Sequence, residues 1–146
     1  ELGKPEEAIE WYDKALEVDG NNTYAMYNKG VALGELGKPE EALDWFDKAL
    51  NQTASNNKTD IDIVSNKAFV LGTKLKEYDE ALALTDEYLK INPQHKGLLC
   101  TTVEVYKQTG YEGIANQYQE QLSKLDPNYE CRLIEKVSLI EREAFA

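Results

Sequence analysis

A chain of 146 residues with 27 acidic against 16 basic side chains, and so a formal net charge of −11, cannot neutralise a run of phosphates; this argues against a nucleic-acid ligand. Its 42% hydrophobic and 29% charged composition is that of a soluble fold able to bury a core, and no apolar run approaches the roughly 18 residues of a membrane span. The acid excess is uneven, with 12 acids against 5 bases over 1–52 and 8 against 6 over 94–146, an acidic surface that favours cationic partners. The chain opens on Glu1, without Met and without a basic, apolar leader, and reads as a piece of a longer protein whose expected location is the cytoplasm.

The first predicted element already carries a copy of itself. ELGKPEEAIEWYDKAL (1–16) returns as ELGKPEEALDWFDKAL (35–50), with 13 of 16 positions identical and the exceptions Ile9/Leu43, Glu10/Asp44 and Tyr12/Phe46 like for like. In chain order the apolar periodicity predicts helices near 5–18, 23–36, 39–51, 60–75, 78–91, 96–109, 112–125 and 130–144. Pro5 and Pro39 suit a first helical position, the following glutamates suit the positive end of the helix dipole, and Gly37 permits a tight turn. Thr59-Asp-Ile-Asp62 has the look of a capping box. The alanines Ala8, Ala42, Ala81 and Ala115 are spaced 34, 39 and 34 apart; the longer interval is accounted for by an enlarged polar loop at 51–60 and one further residue within 72–81. No segment alternates as a strand does, so the chain is expected to be all-α.

Helix–turn–helix units of 34 residues, with a small residue early in the second helix, an aromatic four later and an alanine three beyond that, resemble the tetratricopeptide repeat. Ala42, Phe46 and Ala49 fit that pattern, as do Ala8, Tyr12 and Ala15, with Gly30 and Leu33 in the first helix and Met26 where the family often has Trp. Further on Val64, Ala68, Leu71, Ala81, Pro93, Leu99, Tyr106, Ala115 and Pro127 fit, whereas Thr85, Tyr88, Gln119 and Leu122 depart. The resemblance implies a right-handed α-solenoid of antiparallel helix pairs, about eight helices in all. Its units would be 1–22, the second helix of a truncated repeat; 23–58, 59–94 and 95–128, whole repeats; and 129–146, a helix capping the end, as terminal repeats require.

Chemistry finds no foothold. His95 stands in a PQHKG turn with no nucleophile or acid near it in sequence and is expected to be an exposed loop residue. Cys100 and Cys131, 31 apart with no CxxC or His partner, suggest free thiols in a reducing cytosol and no zinc site. Asn21, Asn51 and Asn57 begin N-x-T triplets in predicted turns, with no secretory signal to make them glycosylation acceptors. Neither cofactor nor enzymatic activity is expected.

The resemblance implies instead a concave groove for an extended or helical peptide, lined by first helices. The positions that would line it are Tyr24, Tyr27, Asn28, Val31 and Glu35, then Asp62, Ser65, Asn66 and Phe69, then Gly97, Cys100, Thr101 and Glu104. The three aromatics offer rigid apolar contact area and the two asparagines paired hydrogen-bonding groups, although Asn28-Lys29 and Asn66-Lys67 recur with the repeat and have a structural reading too. No cation stands at Tyr24/Asn28, Asp62/Asn66 or Gly97/Thr101, so the carboxylate clamp of the family's chaperone-binding members is absent. The expected partner is a protein or peptide segment, apolar or basic in character. The alternative is self-association as a homodimer through Ile9, Tyr12 and Leu16, left uncovered because the helix at 5–18 lacks its own first helix.

Overall fold

The computed structural model describes residues 4–53 and 58–134. Among them run seven α-helices and one π-helical turn, with no strand: α1 (Pro5–Val18), α2 (Thr23–Glu35), α3 (Pro39–Leu50), α4 (Lys58–Phe69), the π turn Val70–Lys74, α5 (Tyr78–Ile91), α6 (Lys96–Gln108) and α7 (Glu112–Leu125). The all-α expectation holds, and the first seven predicted helices agree to within a residue or two, whereas residues 130–134 of the eighth, predicted at 130–144, are not helical. Part of the 51–60 loop, and residues 135–144 of the helix predicted at 130–144, lie outside the described residues.

The chain divides into two compact units, Glu1–Ile63 with Ile134–Ala146, and Val64–Leu133. In the first, Pro5 and Pro39 open α1 and α3 as expected, each followed by two glutamates in the first turn. α2 packs against both neighbours. Tyr12 and Ala15 of α1 meet Ala25 and Ala32 of α2, with Ala8, Ile9, Leu16 and Tyr24 against the same cluster. On the other side Phe46, fully buried, lies with its ring centroid 6.0 Å from that of Tyr27. Burying a side chain of that size contributes about 1.5–3 kcal/mol.

In the second unit α6 packs on both α5 and α7, and the π turn touches α5 and α6. The π turn answers the sequence's extra residue. Asn28 precedes Ala42 by fourteen positions and Thr101 precedes Ala115 by fourteen, but Asn66 precedes Ala81 by fifteen. The Leu75 N–H reaches back five residues to the Val70 carbonyl at 3.1 Å, so the wider turn takes up the added residue inside the helix. α2 and α6, the first helices of the repeats before and after it, end in Schellman-type turns, with Lys38 N–H donating to Leu33 O and Tyr111 N–H to Tyr106 O, each 2.9 Å. The left-handed residues there are Gly37 (φ 78°) and Gly110 (φ 88°); at the corresponding place after the π turn stands Lys76 (φ 59°).

A second turn recurs three times. The side chains of Asp19, Asn92 and Asp126 accept from the N–H two residues on, at 3.0, 3.3 and 3.1 Å. Their carbonyls accept from the N–H three residues on, at Asn22, His95 and Tyr129. The sequel depends on that last residue. Asn22 Oδ1 accepts from Ala25 N–H at 3.0 Å and caps α2; His95 Nδ1 accepts from Leu98 N–H at 3.2 Å and caps α6. His95 is therefore a half-buried N-cap, not the exposed loop residue expected. Tyr129 has no acceptor atom near its Cβ, and residues 130–134 follow without helix. Thr59 lies within α4, which starts at Lys58.

Candidate interaction surface

Of the thirteen positions expected to line a groove, nine are buried, among them Tyr27, Asn28, Val31, Asp62, Ser65, Asn66 and Thr101. Tyr24, Phe69 and Glu104 are half-buried, and Glu35 is exposed near the end of α2. Gly97 and Cys100, expected on the same face of α6, are buried as well. These faces are covered rather than open to water.

In the first unit, Tyr27 presents its ring to Phe46 and its hydroxyl to the chain's own C-terminal region, donating to the Ile134 carbonyl at 3.0 Å. A tyrosine can do both because its body is apolar and its tip polar. Tyr24 does not project freely; it leans on the α1–α2 cluster. One turn along the same helix, Lys29 places its ammonium 2.6 Å from Asp13 Oδ1 and 4.3 Å from the Trp45 ring centroid. The lysine that follows Asn28 thus has a structural task, tying α2 to α1 and α3.

In the second unit the face of α6 is covered by Tyr129 and Cys131. Leu99, Cys100 and Leu122 form a buried cluster with Leu89, Tyr118, Tyr129 and Cys131 packed against it. Cys100 and Cys131 are joined as a disulfide, Cα to Cα 5.6 Å. This corrects the expectation of free thiols: α7 returns the chain so that residues far apart in sequence meet side by side. The Thr101 hydroxyl, fully buried, has no hydrogen-bond partner among the described residues. Lys96 stands with its ammonium 5.6 Å from the Tyr129 ring and 3.4 Å from Asp126 Oδ2, framing the turn that starts the segment.

Sequence reasoning missed Tyr129, Cys131, Leu133 and Ile134 as parts of this surface. The available signal was the period-two order of 129–133. Tyr129 and Cys131 are half-buried and Leu133 buried, while Glu130 and Arg132 between them are exposed.

Of the residues proposed for self-association, Tyr12 is 1% exposed, while Ile9 and Leu16 are half-buried against the α1–α2 cluster and so remain partly uncovered. Among the described residues no group of His, Cys, Asp and Glu could hold a metal ion, and no helix is long and apolar enough to cross a membrane.

An opening of about 270 Å³ lies between α5, α6 and α7. It is lined by Leu82, Thr85, Leu89, Thr102, Tyr106 and Tyr118, with Asp79 and Asp86 at its rim. Thr85 stands where the preceding repeat has Phe46, so the opening lies beside a missing aromatic ring.

Successive antiparallel helix pairs of this spacing make a tetratricopeptide-like fold. Residues 1–57 match the family model described as tetratricopeptide repeat. Solved structures of MamA share the fold. "MamA 41-end from Desulfovibrio magneticus RS-1" superposes with a TM-score of 0.71 at 23% identity, covering 88% of this chain and 70% of that one. "MamA RS-1 ArsTM double mutant" gives 0.70 at 23% identity over 88% and 69%, and "Crystal structure of MamA protein" 0.68 at 21% over 91% and 72%. No curated protein matches the chain in sequence.

Proposed function

We propose that this chain is a non-catalytic scaffold that holds a protein or peptide segment on the first-helix faces of its repeats. The observation that supports the reading is the Tyr27 hydroxyl, which donates to the main-chain carbonyl of Ile134 at 3.0 Å. A bond to a carbonyl is independent of the side chain that the residue carries, so the same donor serves any extended segment laid across it. Apolar and aromatic contact beside such a donor is the usual composition of a peptide site. The expected location is the cytoplasm, the partner is apolar or basic, and neither a nucleic acid nor a membrane is its ligand.

The reading is tested by selecting displayed random peptides against the folded chain. Selected peptides should bind Tyr27→Phe, which loses only the hydroxyl, about three- to tenfold more weakly, the worth of one hydrogen bond. Failure to select any peptide, or equal affinity for the variant, overturns it.

A further inference from the structure

The scaffold reading leaves open what the apolar face of α6 takes, and the inference here rests on that reading. We propose that residues 129–133 are an intramolecular ligand of the α6 face, tethered by the Cys100–Cys131 disulfide. Reduction of that bond releases them and opens the face to an extended peptide with an aromatic, a small and an aliphatic residue at alternate positions.

Two observations carry this. Tyr129, Cys131 and Leu133 turn toward the protein while Glu130 and Arg132 turn away, the pattern of an extended peptide on a surface. The cluster that Tyr129 and Cys131 meet, Leu99, Cys100 and Leu122, is contributed by α6 and α7, so the segment covers an apolar face that exists without it.

The disulfide decides whether this ligand can leave. A tethered segment faces its site at an effective concentration on the order of millimolar or higher, so a free peptide of similar affinity competes poorly. Cys131 is half-exposed, whereas Cys100 is 5% exposed, so Cys131 Sγ is the sulfur open to attack. A thiolate of an external dithiol attacks it, forming a mixed disulfide; Cys100 leaves as thiolate and takes up a proton. The second thiol of the reductant then displaces Cys131, which also leaves as a thiol. Two electrons and two protons pass from the dithiol to the pair, and the dithiol departs as its cyclic disulfide. In a reducing compartment such a bond is transient, which suits a gate better than a permanent staple.

The test uses the whole chain, oxidised and reduced with dithiothreitol. Hydrogen exchange read by mass spectrometry should show the amides of 129–134 exchanging at least about tenfold faster after reduction, while α1 to α7 keep their protection. A fluorescein-labelled peptide spanning 128–134, with Ser in place of Cys131, should bind the reduced chain at least about tenfold more tightly than the oxidised chain. A chain carrying Cys131→Ser, with unchanged circular dichroism, should bind the probe as the reduced chain does. Unchanged protection of 129–134 on reduction, or equal binding of the probe in both states, overturns the proposal. Failure of the scaffold reading is a separate result. If displayed peptides bind both redox forms alike, the scaffold stands and the gate falls; if none is selected, the scaffold falls whatever the exchange shows.

Discussion

A methyl group placed on Gly30 would lie 2.6 Å from Cε1 of Phe46 and 3.2 Å from the Ala42 carbonyl oxygen. α2 and α3 meet there backbone to ring, and only a hydrogen fits between them. Helix propensity alone favours Ala over Gly by about 1 kcal/mol, but overpacking against a buried ring costs about 1–3 kcal/mol. We expect Gly30→Ala to lose about 1–2 kcal/mol net, read as a lower urea midpoint at unchanged m-value. A midpoint equal to or above that of the parent chain would mean that the Phe46 ring gives way.

The missing aromatic at Thr85 should be open to repair. Thr85 is 1% exposed and donates to Leu82 O of its own helix at 3.2 Å, beside an opening of about 270 Å³. Thr85→Phe should stabilise by about 0.5–2 kcal/mol, the usual range for filling a cavity, and raise the melting temperature. A lower melting temperature would show that the ring cannot enter between Tyr106 and Tyr118, which stack 6.2 Å apart.

Lys76 holds a left-handed conformation, φ 59°, where its counterparts are glycines. Its ammonium reaches Gln108 Oε1 at 3.0 Å and Thr73 O at 3.2 Å, both on the surface. The left-handed backbone costs an L-residue roughly 1–2 kcal/mol, and exposed polar contacts return less than about 1 kcal/mol. Lys76→Gly is therefore expected to stabilise by up to about 1 kcal/mol in chemical denaturation. Destabilisation would assign the larger share to the lysine's bonds.

Lys29 combines an ion pair with Asp13 and a place over Trp45. Lys29→Met keeps the apolar stem and removes the charge, at an expected cost of about 0.5–1.5 kcal/mol. Asp13 is 47% exposed, so the cost should shrink in 1 M salt, where the Debye length falls to about 3 Å. A cost that does not change with salt would place the lysine's contribution in packing alone.

The helical framework was legible because each signal was local and redundant. Pro5 and Pro39 fix helix starts by geometry, Gly37 fixes a stop, and an octapeptide repeated at a fixed distance fixes the unit. The extra residue in the third repeat was visible as a count, though not as a π turn, since a longer loop would have given the same number. The cover over the first-helix faces was not legible. It depends on Tyr129 standing where Asn22 and His95 cap helices, a difference of one acceptor atom, and on a chain reversal that places Cys131 against Cys100. The helix expected at 130–144 gave no weight to the missing cap. His95 was misjudged for the same reason: an imidazole can begin a helix as well as an asparagine can.

The π turn at Val70–Lys74 bears on how such a chain tolerates change in length. An extra residue carried through an ordinary helix turns every later side chain by about 100° around the axis and would point α-helical neighbours the wrong way. Here the wider turn confines the rotation to five residues, and Ala81 still packs beside Gly72, a methyl there lying 3.2 Å from its Cβ. The spacing between repeats is therefore not rigidly fixed by the packing of the second unit. Single-residue insertions before a left-handed stop are a kind of variation that this architecture can absorb while the downstream helices keep their phase.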